Sequence, residues 1–449
     1  MRRASFFALA TSLVLAAPLA AQGDSLTLAG ALELARAHSP VLAEADAGLR
    51  GAGARVRQAG AARAPRLGVN AAYLRFQDPP TLSLGPAGSF SPIPQDGYLV
   101  QASALYPLYT GGRTSAAARA ARWGEQAATE SREAAEVELT AAVARAHDAV
   151  LFARALLGVA EEGERLLRAT RTLAERQYAD GAVARLDVLR AETRLSAAQA
   201  DVRAARGAVA DAQERLAVLI GLAPDQVPPA AGSLDFTRGS PGAAQVDSLL
   251  AAARGSRPDV RALSSAAEGT RARAAAARAG LRPVASVYLS GAATRPAMLG
   301  SERRWSTNLF GGVLVSWPVF DFGASGGEAA ALRAEADRMQ AEATQHGDAA
   351  AAEVRSQLRV LGRAAEDVGA GRENVTRAER ALAIAQERYA DGAGLQIEVL
   401  QAEAELVGIR AALLGAVFAH RSALIELRRA TGRVTDPAVF EPLSPREAP

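Results

Sequence analysis

The chain repeats itself, and this internal repeat limits its possible folds more than any other feature of the sequence. The segment LAERQYADGAVARLDVL at 173–189 recurs as IAQERYADGAGLQIEVL at 384–400. Tyr178 corresponds to Tyr389, an offset of 211 residues (389 − 178), and upstream the tetrapeptide YPLY recurs at the same offset as WPVF. A repeat of this length predicts a duplicated structural unit and indicates architecture rather than a catalytic pocket.

The repeat divides the chain into a first unit at 22–232 and a second unit at 233–433, followed by a tail at 434–449. Residues 1–21 form a predicted signal peptide, with two arginines, a short apolar core and a small-residue cleavage site. We therefore expect an exported protein. No later segment supplies the roughly 20 consecutive apolar residues of a transmembrane helix, so only β-structure is expected to enter a membrane.

Composition excludes several functional classes. The chain has no cysteine, which excludes disulfides and cysteine-based metal sites. Its charges are interspersed without a basic tract, so we expect no nucleic-acid partner. We find no catalytic constellation, no metal-binding histidine pair and no phosphate-binding loop. The sequence therefore predicts no enzymatic activity, no catalytic residues, no cofactor and no metal site.

Each unit has the same predicted order: an interrupted opening helix, a strand pair, a very long helix and a shorter return helix. Pro40 and Pro258 interrupt the opening helices, because a residue before proline avoids the helical region. The proline-free segments Arg113–Ala179 and Ala324–Ala390 predict helices of roughly 100 Å. Such helices must pack along other helices. We expect the return helices and the opening helices together to cover their length.

Period-two alternation between the opening and long helices predicts the strands. In the first unit one strand face is predicted to hold Val100, Ala102, Ala104, Tyr106 and Leu108. The connecting segments Asp78–Asp96 and Arg295–Arg304 are predicted loops. Aromatic residues at strand ends are typical of the girdles of a membrane barrel. We assign the girdle to Tyr98, Tyr106, Tyr109, Trp305, Trp317 and Phe320.

Four strands cannot close a barrel, for which about eight are needed, and lipid does not tolerate an open sheet edge. Strands in a membrane must therefore be pooled from several chains around one axis. A small soluble sheet with aromatic packing is the alternative interpretation. The long helices favour the membrane interpretation, in which a barrel continues into a helical wall. The sequence thus predicts an α+β membrane protein.

These features resemble the TolC family of outer-membrane efflux channels over nearly the whole mature chain. The resemblance rests on the duplication, the strand pairs and a pattern shared by Tyr178–Glu192 and Tyr389–Glu403: Tyr, Gly three residues later, then Asp or Glu before Val-Leu, and Ala-Glu at the end. It implies a homotrimer in which long antiparallel helical hairpins form a periplasmic α-barrel. Four strands per chain would contribute to a shared twelve-stranded outer-membrane β-barrel.

The resemblance also implies a function and partners. The chain would be the outer-membrane exit duct of a tripartite efflux pump or of a type I secretion system. As a passive, gated channel it would export small molecules or proteins. Its partners would be a periplasmic adaptor, an inner-membrane pump and the outer-membrane lipid.

The resemblance assigns roles to residues at the repeated turn. The hairpin tips would contact the adaptor, through Gly181, Ala182, Val183, Gly392, Ala393 and Gly394. The pore entrance and gate would involve Asp187, Tyr389, Glu398 and Gln401. Asp187 and Tyr389 match a locking pair, and Glu398 matches a ring of carboxylates that favours cations.

This chain departs from the family pattern at two positions. Gly394 stands where the family can use an arginine in the lock, and Gln401 stands at a second acidic ring position. Tyr178 and Glu398 are equally compatible with ordinary helix-surface roles. A rival function for the whole chain is a soluble periplasmic coiled-coil scaffold or adaptor-like protein, which the strand alternation and the clustered aromatic residues disfavour.

Overall fold

The computed structural model describes residues 25–91, 95–236, 243–295 and 304–432. The predicted signal peptide at 1–21 and the predicted tail at 434–449 lie outside the described residues. Within the described ranges, two opening helices, strands, a long helix and a return helix follow one another, and this order occurs twice. The predicted order of elements is therefore confirmed.

The elements of the first half are α1 (Leu28–His38), α2 (Pro40–Ala61), β1 (Arg66–Arg75), β2 (Leu82–Ser83), β3 (Ser89–Phe90), β4 (Asp96–Tyr109), α3 (Arg113–Ala179) and α4 (Arg185–Ile220). The elements of the second half are α5 (Ala243–Gly255), α6 (Pro258–Arg278), β5 (Val284–Arg295), β6 (Ser306–Ser316), α7 (Ala324–Ala390) and α8 (Gln396–Ala430).

The two prolines that predicted the interruptions are the first residues of α2 and α6. Proline suits this position because its fixed φ matches the helix and its missing N–H has no helical partner there. The helices α3 and α7 have 67 residues each. At 1.5 Å per residue each is roughly 100 Å long, as the sequence predicted.

Shorter helices cover the two long ones in end-to-end pairs. Both α4 and α2 pack on α3, while α8 and α6 each contact both α3 and α7. Within each pair, the end of the return helix meets the junction between the two opening helices: α4 ends beside His38, and α8 ends beside Pro258. At the first junction Gly221 has φ +72°, and a Cβ on it would lie 2.7 Å from the Cβ of His38. The expected division of length between opening and return helices is confirmed.

The core lies in the seams between these helices. One apolar cluster joins α1, α3 and α4 through Leu32, Val143 and Ile220. Another joins α7 and α8 near the hairpin end through Leu382 and Val399, with Leu173 of α3 packed against it. None of the helices in the described part of the chain is both long and apolar enough to cross a membrane.

The four main strands form one antiparallel sheet in the order β1-β4-β5-β6. Within the chain, β1 and β6 are therefore edge strands. The segment predicted as a loop at Asp78–Asp96 instead contains the short β2–β3 hairpin. Gly85 and Gly88 permit its turn with positive φ, and the Leu84 amide donates to the Gly88 carbonyl at 2.8 Å. The combination of long helical hairpins and a four-stranded sheet confirms the predicted fold class.

Candidate functional site

The sheet has one apolar face and one polar face. Register aligns Val69, Ala102, Gly291 and Leu309 in one row across the four strands, on what we call the apolar face. Leu309 is 72% exposed in the single chain. Such exposure of large apolar side chains over a whole sheet face indicates an interaction surface.

The opposite face, which we call the polar face, carries hydroxyl and amide side chains together with apolar residues such as Leu105, Phe310 and Leu314. The polar residues include Asn70, Gln101, Ser103, Ser286, Ser290 and Asn308. The Gln101 amide donates to the Ser290 hydroxyl at 2.8 Å across neighbouring strands. An apolar face opposite a mixed face that bears the hydroxyl and amide side chains fits a sheet between lipid and an aqueous lumen.

Aromatic side chains lie at both ends of the apolar face. At the loop end, the rings of Tyr73 and Tyr98 are 5.1 Å apart, and Trp305 lies 6.4 Å from Tyr98. At the helix end lie Tyr106, Tyr109, Trp317 and Phe320. From Tyr98 to Tyr109 the strand rises roughly 36 Å, or about 28 Å when tilted by 40°. This separation fits the apolar thickness of a bilayer.

A β-bulge corrects the predicted alternation at the helix end. The sequence pattern predicted Leu108 on the same face as Tyr106. Register instead pairs Tyr106 with Val287 and Tyr109 with Ala285, with the irregularity between Pro107 and Tyr109. The extra residue returns Tyr109 to the apolar face. Both predicted girdle tyrosines of this end therefore lie on one face.

The two hairpin tips have the same backbone turn. Gly181 and Gly392 have φ +73° and +72°, the left-handed conformation that glycine favours where a helix ends. The Ala182 amide donates to the Gln177 carbonyl at 2.8 Å, and the Ala393 amide donates to the equivalent Arg388 carbonyl at 2.9 Å. These bonds are those of a Schellman motif, which satisfies the carbonyls left open where a helix ends.

The rest of the tips is largely open to solvent. Ala182 and Ala393 are exposed, and Val183 is half-buried. Gly394 folds back onto the last turn of α7, where a Cβ would lie 3.0 Å from the Cβ of Arg388 and 3.1 Å from the Tyr389 nitrogen. A side chain at Gly394 would therefore need this turn to shift slightly, and the equivalent Val183 of the first tip carries one.

The predicted gate residues lie around the start of the return helices. Asp187 is 3.7 Å from Arg190, and Glu398 is 3.6 Å from Arg388. Gln401 is exposed on α8. The sequence analysis did not single out Arg388, whose guanidinium is the cation beside Glu398.

Tyr389 is buried and its hydroxyl has no hydrogen-bond partner among the described residues. Burial raises the pKa of Tyr389, and the nearby charge of Asp187 raises it further. The structure thus brings the predicted locking pair close together without a hydrogen bond between them. Gln396 is also buried, and neither atom of its amide group has a partner in the described chain.

Sequence reasoning missed a buried glutamate where the two hairpins meet. Glu403 is 2% exposed, and its Oε1 accepts a hydrogen bond from the Thr170 hydroxyl of α3 at 2.6 Å. Its repeat equivalent, Glu192, is exposed and lies 3.8 Å from Arg171. The repeated Ala-Glu dipeptide was the available signal, but the sequence around it does not distinguish the buried copy from the exposed one.

The buried glutamate predicts a pH-dependent stability. Burial raises the pKa of Glu403, although the hydrogen bond from Thr170 partly opposes this effect. Folding therefore favours the protonated form. This contribution is full below the unfolded pKa and is lost as the pH rises through the raised pKa of the folded chain. We expect Glu403→Gln to increase the free energy of unfolding at pH 8 by about 1–3 kcal/mol.

Unfolding midpoints measured between pH 5 and pH 8 test this expectation. The wild type should lose stability across the range, while Glu403→Gln should lose less. Glu192→Gln is the matched control and should follow the wild type. Parallel curves for wild type and Glu403→Gln would show that Glu403 does not titrate in the folded chain.

Comparison with known proteins gives a family match over most of the chain. The model of a family described as outer membrane efflux protein matches residues 31–222 and 249–433. A comparison with curated protein sequences finds no match.

Solved structures show the same fold. The chain is similar to the outer membrane protein VceC from Vibrio cholerae, with 23% identity, a TM-score of 0.75, and coverage of 90% of this chain and 96% of that chain. It is similar to the open state of the MtrE outer membrane channel of Neisseria gonorrhoeae, with 23% identity, a TM-score of 0.72, and coverage of 91% and 90%. The CmeC outer membrane channel of Campylobacter jejuni gives 16% identity, a TM-score of 0.75, and coverage of 90% and 85%.

Proposed function

The chain belongs to the family of outer membrane efflux proteins, which form exit ducts for efflux pumps, and on this premise we propose that three copies of it assemble into one passive, gated channel. The four-stranded sheet carries the proposal. Its apolar face is exposed, and β1 and β6 are edge strands. Since four strands cannot close a barrel, three chains together supply the twelve strands that can.

The internal repeat supports a matching contact between the helical hairpins of neighbouring chains. Within one chain α8 packs on α3, and Leu400 of α8 is buried. The equivalent residue of α4, Leu189, is 47% exposed. On α7, Ile384 is 58% exposed, whereas its equivalent Leu173 packs against the apolar cluster near the tips. In the proposed trimer, α4 of one chain therefore packs against α7 of the next chain in the same way that α8 packs against α3 within one chain.

The exposed tips are the proposed contact with a periplasmic adaptor, and through it with an inner-membrane pump. Each tip ends a helix of 67 residues that starts beside the sheet. With the sheet in the outer membrane, the tips lie roughly 100 Å into the periplasm. Three chains present six such tips, which alternate between Val183 and Gly394 at the equivalent position.

The unsatisfied polar groups near the tips support a gate at this end. The buried Tyr389 hydroxyl and Gln396 amide have no partners within the described chain. Each buried polar group without a hydrogen-bond partner destabilises this conformation by about 1–3 kcal/mol. Other conformations, in which these groups form hydrogen bonds, therefore compete with it. Outward movement of the tips on adaptor binding would be one such rearrangement. Polar groups here would then exchange partners as the entrance opens.

Opposite changes of ion selectivity test the proposed pore. Glu398→Ala is expected to lower the cation preference, because it removes a carboxylate from the entrance ring. Arg388→Gln is expected to raise the preference, because it removes the cation 3.6 Å from that carboxylate. Each change should be roughly two- to fivefold, since unit charges 4 Å apart in water interact by about 1 kcal/mol.

The measurement is the reversal potential of single channels in a planar bilayer under a salt gradient. The double variant serves as the control and should return close to the wild-type preference. An unchanged preference in both single variants would remove this pair from the pore.

A further inference from the structure

The loop end of the apolar face carries arginines beside its aromatic residues. Register places Tyr73 opposite Tyr98, and Tyr98 opposite Arg295, so the three share one face of the sheet. Arg75 follows Tyr73 by two residues on the same strand and pairs in register with Asp96. The face thus ends in a strip of basic and aromatic residues beyond its apolar rows.

Asp96 holds two members of this strip in place. The Tyr73 hydroxyl donates to Oδ1 of Asp96 at 2.8 Å, and Nη1 of Arg75 lies 3.4 Å from the same oxygen. The Arg75 side chain nevertheless remains 61% exposed. Its guanidinium is therefore oriented by the sheet and still open to a ligand outside the protein.

We propose that this strip binds the phosphate groups of a phosphorylated glycolipid in the outer leaflet of the membrane. The basic-aromatic strip consists of Tyr73, Arg75, Tyr98, Arg295 and Trp305. Guanidinium groups bind phosphate with paired, charge-assisted hydrogen bonds, and aromatic rings settle at headgroup level. The inference rests on the proposed function, which puts the loop end of the sheet at the outer surface.

The spacing and surroundings of the arginines suit a lipid headgroup. Arg75 lies on β1 and Arg295 on β5, with only β4 between them. Two strand spacings are roughly 10 Å, so one large headgroup reaches both. The next row of the same face holds Val100, which is 44% exposed and lies where acyl chains would begin.

The helix end of the apolar face differs from the loop end. Two described arginines lie near this end, Arg66 and Arg282, and neither is directed to its aromatic residues. Arg66 pairs in register with Leu105 on the opposite face, and the Arg282 guanidinium donates to the Gly111 carbonyl at 3.0 Å. The combination of arginines and aromatic residues on the apolar face is thus seen at the loop end of the described sheet and not in Arg66 or Arg282 at the helix end.

Lipid retention by the purified trimer tests the strip. Trimers are placed in phosphatidylcholine nanodiscs that contain a small fraction of diphosphorylated glycolipid or of its dephosphorylated form, and bound lipids are counted by native mass spectrometry. We expect the wild type to retain the phosphorylated form about tenfold better. The double variant Arg75→Gln/Arg295→Gln should lose this preference, while Arg66→Gln should keep it.

The possible outcomes separate the two proposals. Equal retention of both lipids by a wild-type trimer that embeds in the nanodisc would overturn the strip and leave the channel intact. An undiminished preference in the double variant would also overturn it. A chain that does not embed as a trimer at all would contradict the proposed function instead.

Discussion

Arginine at Leu309 is expected to prevent stable insertion of the sheet into the membrane, whereas arginine at the neighbouring Asn308 is expected to be tolerated. Leu309 pairs with Gly291 on the apolar face, and Asn308 pairs with Ala292 on the polar face. A cationic side chain on the lipid face near the middle of a membrane barrel costs about 2–4 kcal/mol. In a trimer this cost is incurred once per chain.

The depth of Leu309 makes this expectation strong. Its row includes Ala102, which lies midway between Tyr98 and Tyr106, the aromatic residues near the two ends of β4. Outer-membrane fractions should contain little trimer of Leu309→Arg and near wild-type amounts of Asn308→Arg. Equal losses in the two variants would show that the faces are not distinguished by lipid.

Alanine at Gly111 is expected to destabilise the junction between β4 and α3. A Cβ on Gly111 would lie 2.5 Å from the Cβ of Arg282, and Gly111 has φ +64°. Left-handed strain contributes about 1–2 kcal/mol and overpacking about 1–3 kcal/mol, so the expected loss is roughly 2–5 kcal/mol. Unfolding midpoints in detergent measure this loss.

The repeat supplies the control at the equivalent junction of the second half. Phe322 is the repeat equivalent of Gly111. It has a left-handed backbone with φ +54°, and its side chain is 92% exposed. Phe322→Gly should therefore stabilise the chain by about 1 kcal/mol through relief of this strain. Equal stability of Gly111→Ala and wild type would mean that Arg282 does not fill the space beside Gly111.

The exposed Phe322 ring lies 4.7 Å from the ring of Phe320, which suits an anchor at the membrane interface.

Local signals predicted most of the fold because each acts on the backbone where it stands. Pro40 and Pro258 fix helix starts, and Gly181 and Gly392 close the long helices with positive φ. These effects need no partner from a distant part of the chain. The same holds for the alternation that predicted the strands.

Other features depend on contacts that no short pattern encodes. The bulge before Tyr109 depends on pairing with β5, more than 170 residues away. Glu403 and Glu192 sit in similar sequence, yet only Glu403 is buried, because α8 packs on α3 whereas the equivalent face of α4 is open in the single chain. The adaptor role of Ala182 and Ala393 stays a prediction.

Crosslinking between chains tests the central claim most directly. The hydrogen bond between Thr170 and Glu403 joins α3 to α8 within one chain. The equivalent positions in the repeat are Ala381 and Glu192, which would face each other between α7 of one chain and α4 of the next. The chain has no cysteine of its own, so introduced pairs react cleanly. Thr170→Cys/Glu403→Cys is the control, because its crosslink stays within one chain.

With a short bismaleimide, Ala381→Cys/Glu192→Cys is predicted to give covalent species of two and three chains and none larger in outer-membrane preparations, while the control pair migrates as a single chain. A ladder that continues beyond three chains, or a variant that remains a single chain while the control reacts, would contradict the trimeric channel.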